Sequence, residues 1–185
     1  MQSAARTALV AAAIVMAACD NQDVPTGPSS SGPSLASSKL VPKEIAAGHA
    51  EVTAGGTADQ YSFTAIRDFD GRVKGEWQLK RTLADGAIQR AHGEVTCMLM
   101  VGNVAHMAGM PERSDPALGA PPNNAVLWTV QDNDAGTLDG TDVASLMITG
   151  VPPQFVLLHC AGGFAFGLFP LERGNVLVKS IPIAP

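Results

Sequence analysis

The sequence predicts an all-β domain, a single antiparallel β-barrel or β-sandwich of about eight or nine short strands. Apolar and polar residues alternate with a period of two through much of residues 48–180, as in strands with one buried face. Turn-forming residues separate the alternating segments at hairpin spacing, and no segment has a helical period of useful length. Antiparallel strands close on themselves or stack as two sheets, so the choice between barrel and sandwich stays open.

Residues 1–18 are typical of an export signal that precedes the β domain. A single charged residue, Arg6, comes before an uncharged apolar run that ends in Ala17 and Ala18. This run of about a dozen residues is shorter than the roughly 20 that a membrane-spanning helix needs. A permanent transmembrane span is therefore not expected.

The end of this leader, Met16-Ala17-Ala18-Cys19, resembles the lipobox of bacterial lipoproteins, although Leu is more usual than Met at its first position. The resemblance implies that Cys19 receives a diacylglyceryl group and anchors the chain to a lipid bilayer, with acyl chains such as palmitate. Two or more acyl chains hold a protein stably on a membrane. The implied location is the bacterial cell envelope, on its periplasmic or extracellular face, with the leaflet left open. The alternative is an ordinary signal peptide with an unmodified Cys19.

Residues 19–43 are predicted to be a disordered tether, because they are rich in Ser, Pro and Gly and have almost no periodic apolar pattern. Flexible-coil scaling gives this segment a reach of roughly 27 Å, enough for a folded domain to stand clear of lipid headgroups. The β domain is expected over residues 44–185, a length that suits one domain.

The charge balance excludes one class of partner. Removing residues 1–18 takes away Arg6 alone, so the formal net charge of −5 becomes −6. An acidic domain without a basic stripe is not suited to nucleic acid, which is excluded as a partner.

The alternation assigns a face to each predicted strand. Tyr61 and Phe63 in residues 59–67, and Trp77 in residues 71–80, are assigned to the core, with a hairpin turn at Asp-Phe-Asp-Gly between the two strands. In residues 88–101 the same rule places Val95, Cys97, Leu99 and Val101 on one face. Further strands are predicted at residues 104–110, 126–130, 143–149, 154–160, 163–169 and 175–180, with a long loop at 111–124 and an acidic loop at 132–142. Phe164, Phe166 and Phe169 are assigned to the core.

Three segments together are similar to a known module. They are Gly93-Glu94-Val95-Thr96-Cys97-Met98-Leu99-Met100-Val101-Gly102-Asn103-Val104-Ala105, then Val130-Gln131-Asp132-Asn133-Asp134-Ala135-Gly136, then Gly174-Asn175-Val176-Leu177-Val178. This pattern resembles the post-COAP-like domain, a small secreted all-β module of bacterial envelope proteins. The resemblance covers most of residues 48–180 and implies an all-β fold and an envelope location. The family has no established activity, so the resemblance implies no particular function.

Two cysteines lie inside the predicted domain, Cys97 and Cys160. In an oxidising envelope such a pair forms a disulfide, yet buried free cysteine is also a common small core residue. Both interpretations stay open from the sequence.

Two clusters are candidate metal sites. The acidic loop offers hard oxygen ligands of the kind that calcium needs, although Asp and Gly are also ordinary loop residues; the candidate ligands are Asp132, Asp134, Asp139 and Asp142. A second cluster offers the thioether and imidazole ligands that suit copper, although Met also fills gaps in cores; its members are Met98, Met100, His106, Met107 and Met110.

No catalytic motif accompanies these residues. His92 and Glu94 form an H-x-E without the P-C-x-x-C of zinc deaminases, and H-E-x-x-H, G-x-S-x-G and P-loop patterns are absent. The sequence therefore predicts an envelope-anchored lipoprotein whose β domain has a non-enzymatic, structural or interaction role. Its expected partner is an unknown envelope protein or small ligand, and no cofactor is expected, with calcium as the candidate exception. The alternative function is a small-ligand or metal-ion carrier in the cell envelope.

Overall fold

The computed structural model describes residues 43–119, 121, 123–133 and 141–182 of the 185-residue chain. In chain order the elements are β1 (Lys43–Ala54), β2 (Thr57–Arg67), β3 (Val73–Thr82), β4 (Ile88–Val101), β5 (Val104–Ser114), a 3-10 turn (Pro116–Leu118), β6 (Ala125–Gln131), β7 (Val143–Ala144), β8 (Ile148–Val151), α1 (Gln154–Gly162), β9 (Phe169–Pro170) and β10 (Arg173–Ile181).

These strands form one curled, half-barrel sheet of ten antiparallel strands. The strand order is β10-β1-β2-β3-β4-β5-β6-β7-β9, and β8 also pairs with β6. The strands from β1 to β5 pair in chain order as successive hairpins, and the turn between β2 and β3 is closed by Gly71 N donating to Asp68 O at 2.8 Å. The predicted all-β, barrel-like fold and this hairpin turn are confirmed.

The inner face of the curled sheet is filled by large side chains. Tyr61, Trp77, Met107 and Trp128 are at most 1% exposed, and Phe63 is 4% exposed. Phe63 and Trp77 each bring their ring centroid to 6.2 Å from that of Trp128, within the usual range for aromatic pairs. The core positions predicted from the alternation in β2 and β3 are confirmed.

Two aspartates close the open edge of β10, the strand at one end of the sheet. Val176 N donates to Asp142 Oδ2 at 2.9 Å, and Val178 N donates to Asp132 Oδ2 at 3.0 Å. The other carboxylate oxygen of Asp142 accepts from Asn133 N at 2.9 Å. Edge N–H groups that would invite another strand are therefore satisfied by buried carboxylates from the region between β6 and β7.

A β-bulge in β4 overturns the predicted face of Cys97 and Leu99. Val95 pairs with Gly109 while Cys97 pairs with Ala108, so one extra residue, Thr96, lies between the two pairs. An extra residue in a strand reverses the side-chain alternation beyond it. Cys97 therefore packs in the outer cluster with Ala108, whereas the predicted face placed it beside the buried Val95.

The C-terminal third departs most from the predicted strands. Residues 154–160 lie in the helix α1 instead of a strand. Residues 143–149 contain β7 and the first part of β8, with residues 145–147 outside both strands. Of residues 163–169 only Phe169 lies in a strand. A short apolar run does not distinguish a strand from a buried helix by its periodicity, so tertiary packing decided the outcome. Part of the predicted loop at 111–124 is also a strand, because β5 continues to Ser114 and accommodates Pro111 at a register shift.

Candidate functional site

The helix α1 begins and ends at residues suited to those positions. Pro153 precedes it with φ −55° and ψ −28°, the helical conformation that a proline ring allows at a helix start. Gly163 ends it with φ 63°, in the left-handed region that favours glycine. The helix packs on the outer face of the sheet against β4, β5 and β6.

A disulfide attaches α1 to the sheet. Cys97 in β4 and Cys160 in α1 are bonded, with their Cα atoms 6.2 Å apart. The pairing depends on the bulge at Thr96, because the bulge turns Cys97 toward the outer face, where α1 lies. Of the two alternatives that the sequence left open, the structure has the bridged one.

Beneath α1, the buried ring of His159 joins two backbone segments. Its Nδ1 lies 2.7 Å from Phe164 O, and its Nε2 lies 3.0 Å from Trp128 O. A carbonyl oxygen only accepts hydrogen bonds, so a ring nitrogen of His159 that carries a proton is the donor in its contact. His159 thus ties the loop after α1 to β6.

A second histidine, His106 of β5, lies against this ring. The two ring centroids are 5.4 Å apart at an interplanar angle of 87°, and His106 Nδ1 is 3.3 Å from Thr129 Oγ1. Burial lowers the pKa of His106, because desolvation disfavours the charged imidazolium, and the neighbouring charge of His159 lowers it further. The ring of His159 also lies against Phe166 of the outer apolar cluster, with the ring centroids 5.3 Å apart.

The side of α1 that faces away from the sheet is apolar and exposed. Four residues form this feature, which we call the α1 surface: Phe155 is 47% exposed, Leu157 72%, Leu158 62% and Phe164 63%. No Asp, Glu, Lys or Arg occurs anywhere between Asp142 and Glu172. The predicted core position of Phe164 is therefore wrong, because the segment that carries it is a surface loop after α1.

A groove of about 700 Å³ is lined in part by three residues of the α1 surface, Phe155, Leu158 and Phe164. Its lining is mostly apolar and comes from α1, β6, β8 and the following loop, including Leu127, Ile148, Val151, Leu158, Phe164 and Phe166. That volume is within the range of small-molecule sites, and an apolar lining is typical of them.

The candidate calcium ligands are only partly described. Asp132 and Asp142 are 3% and 5% exposed, and their carboxylates accept the backbone hydrogen bonds that hold β10. Asp134 and Asp139 lie outside the described residues. The calcium site stays a prediction, with two of its four proposed ligands already engaged by the backbone.

The candidate copper ligands are divided between the two faces of the sheet. Met98, Met107 and Met100 pack with the inner core, whereas Met110 packs with the outer cluster and His106 contacts His159 beneath α1. The five side chains therefore do not converge on one point. Within the described ranges, no group of three or more His, Cys, Asp or Glu side chains is arranged to hold a metal ion.

The fold and site together define a class of protein: an antiparallel half-barrel with a disulfide-attached helix that presents an uncharged apolar surface. Comparison of the chain with protein-family models, curated proteins and solved structures finds no match in any of the three. The resemblance to the post-COAP-like domain stays a prediction. Among the described residues, no helix combines the length and the hydropathy that crossing a bilayer requires. The predicted anchor residue, Cys19, lies outside the described part of the chain.

Sequence reasoning missed the α1 surface and the buried His106–His159 pair. One sequence signal for the surface exists, the run of four apolar residues after Pro152-Pro153 within a long segment that has no charged residue. The histidine pair has no such signal, because its members come from β5 and α1 and meet only through tertiary packing.

Proposed function

We propose that this chain is a bacterial envelope lipoprotein, anchored through an acylated Cys19, and that its β domain has a non-enzymatic interaction role. The α1 surface is the observation that carries the proposal. Its four large apolar side chains are about half to three-quarters exposed, in a segment that has no charged residue. A contiguous apolar surface on a folded domain is typical of a site that binds a protein, a membrane or a small ligand.

The use of the buried polar groups supports a non-enzymatic role. Asp59 is bound by Arg81, Asp142 by the backbone of β10, and His159 by two carbonyl oxygens. Each of these groups therefore has a structural task, whereas catalytic groups have polar atoms directed at a substrate position.

Photo-cross-linking in cells tests the interaction role. A photoreactive amino acid at Leu157 is expected to give a covalent adduct with the bound partner. The same amino acid at Ile88, which is 48% exposed on β4, is the matched control and is expected to give none. Absence of any adduct at Leu157, or equal adducts at both positions, contradicts the interaction role.

Metabolic labelling tests the anchor separately. Radioactive palmitate is expected to label the wild-type chain and to leave the Cys19→Ala variant unlabelled. Label on both proteins contradicts acylation at Cys19, and absence of label on the wild type does so as well.

A second candidate function, an apolar-ligand carrier, is favoured by the groove beside α1. Leu158 lines this groove, whereas Leu157 is exposed on the same helix and does not line it. If the groove carries a fatty acid, Leu158→Gln weakens the binding of laurate to the purified protein and Leu157→Gln leaves it unchanged. Equal effects of the two substitutions, or no laurate binding by the wild type, contradict the carrier function.

A further inference from the structure

The sheet covers only one side of α1. Phe155, Val156, Leu157 and Leu158 are consecutive, and at 3.6 residues per turn four consecutive side chains point almost all the way around a helix. Val156 packs against the outer cluster of the sheet, while Leu157 and Leu158 remain 72% and 62% exposed. A helix that is apolar all round is normally covered on all sides, by protein or by lipid.

The size and chemistry of the α1 surface fit lipid better than a second protein. A fully buried Phe side chain covers roughly 150–250 Å² and a Leu side chain is smaller, so these two Phe and two Leu residues, each about half to three-quarters exposed, offer on the order of a few hundred Å². A stable protein interface buries about 800 Å² on each partner and has a polar rim. The α1 surface is smaller, and no charged residue lies in the segment from Val143 to Leu171.

The β domain begins at the end of the sheet to which α1 is attached. Glu44, next to the first described residue, forms a salt bridge with Arg67 at 3.0 Å. The Arg67 guanidinium also donates to Met98 O, adjacent in the chain to the disulfide residue Cys97. Arg67 therefore links the first residues of β1 to the part of β4 that carries the disulfide.

We propose that the α1 surface inserts into the interfacial region of the lipid bilayer that carries the Cys19 anchor. This inference rests on the proposed lipoprotein function, because the anchor brings the surface to the membrane. Exposed Phe and Leu side chains bury in the boundary between headgroups and acyl chains, and a second attachment adds to the hold of a lipid anchor. The domain then lies on the membrane, in contrast to the sequence expectation that the tether lets it stand clear.

Quenching by brominated lipid tests this insertion in the full, acylated chain. Leu157→Trp places an indole on the α1 surface, and the native Trp77 and Trp128 are 1% and 0% exposed in the core. The protein is reconstituted into vesicles of phosphatidylethanolamine and phosphatidylglycerol, with or without bromine on the acyl chains. We expect bromine to reduce the emission of Leu157→Trp, because heavy-atom quenching acts only at short range.

Ile88→Trp is the matched control. Ile88 is also an exposed apolar residue, but it lies about 30 Å along β4 from Cys97, at the far end of the sheet. Its emission is expected to be the same in both kinds of vesicle. Leu158→Trp provides a second position on the α1 surface, so a folding defect in one variant does not decide the result.

The outcomes separate this inference from the proposed function. Quenching at positions 157 and 158 but not at 88 supports insertion. Palmitate label without quenching overturns insertion and leaves the anchor standing, whereas absence of the label overturns both. A blue shift at 157 that grows with protein concentration and is insensitive to bromine identifies a second copy of the chain as the occupant, and it also overturns insertion.

Discussion

Replacing Asp142 with alanine is expected to lower the free energy of unfolding by about 3–5 kcal/mol. The carboxylate accepts hydrogen bonds from Val176 N and Asn133 N, both at 2.9 Å, and the residue is only 5% exposed. A hydrogen bond to a charged group contributes about 1.5–3 kcal/mol, and alanine leaves both donors without this acceptor. The loss is large against a typical domain stability of about 5–15 kcal/mol.

Urea denaturation of the wild type, Asp142→Ala and Asp85→Ala measures the loss of free energy of unfolding in each variant. Asp85 Oδ1 also accepts a backbone hydrogen bond at 2.9 Å, from Ala87 N, but in an exposed turn. Because water replaces the lost acceptor there, we expect Asp85→Ala to cost less than about 1 kcal/mol. Equal losses in the two variants would refute the proposed role of the buried carboxylate.

Hydrogen exchange and calcium titration give two further measurements on the same variant. The amide of Val176 is expected to lose protection in Asp142→Ala, because its acceptor is removed. A calcium ligand would instead make the stability of the wild type rise with calcium concentration by mass action. A urea midpoint that rises with calcium in the wild type and not in Asp142→Ala would support the calcium prediction for this loop.

The remaining predictions concern the disulfide, the Asp59–Arg81 ion pair and His106. Converting Cys97 and Cys160 to alanine is expected to lower the free energy of unfolding by about 4 kcal/mol, because the disulfide restricts the unfolded chain across a sequence separation of 63 residues. A urea midpoint equal to that of the oxidised wild type contradicts this prediction. Arg81→Met leaves the fully buried carboxylate of Asp59 without its partner at 2.7 Å and is expected to cost about 3–5 kcal/mol, part of which the double variant with Asp59→Leu recovers. A double variant less stable than Arg81→Met contradicts the assignment. The pKa of His106 is lowered in the folded state, so just below about pH 6.5 the unfolded chain binds more protons than the folded chain. The free energy of unfolding therefore falls as the pH drops from about 6.5 toward the pKa of His106 in the folded state. His106→Gln is expected to flatten this part of the thermal-unfolding profile, and an unchanged slope contradicts the assignment.

The core strands were predictable because their information is local. In β2 and β3 the side chains alternate between two faces, so the positions of Tyr61, Phe63 and Trp77 follow from a period of two in the sequence. The Asp-Phe-Asp-Gly turn between them is equally local, since glycine supplies the positive φ of 83° at Gly71.

The face of Cys97 and the helix α1 were not predictable in the same way. A single extra residue at Thr96 reverses the rest of β4, and nothing in the local pattern marks it. The apolar run before Cys160 fits a strand as well as a helix, and its outcome depends on the disulfide and on the sheet beneath it.

The amino-acid sequence by itself determined the all-β class, the core faces of β2 and β3 and the hairpin between them, because alternation and turn chemistry act over a few neighbouring residues. Only the tertiary structure decided which side chains meet across the sheet. Cys97 bonds to Cys160, Asp142 binds β10, and His159 spans two carbonyl oxygens, each through contacts between distant parts of the chain. The exposure of the α1 surface also depends on the tertiary structure, because this surface is the side of an apolar helix that the sheet does not cover.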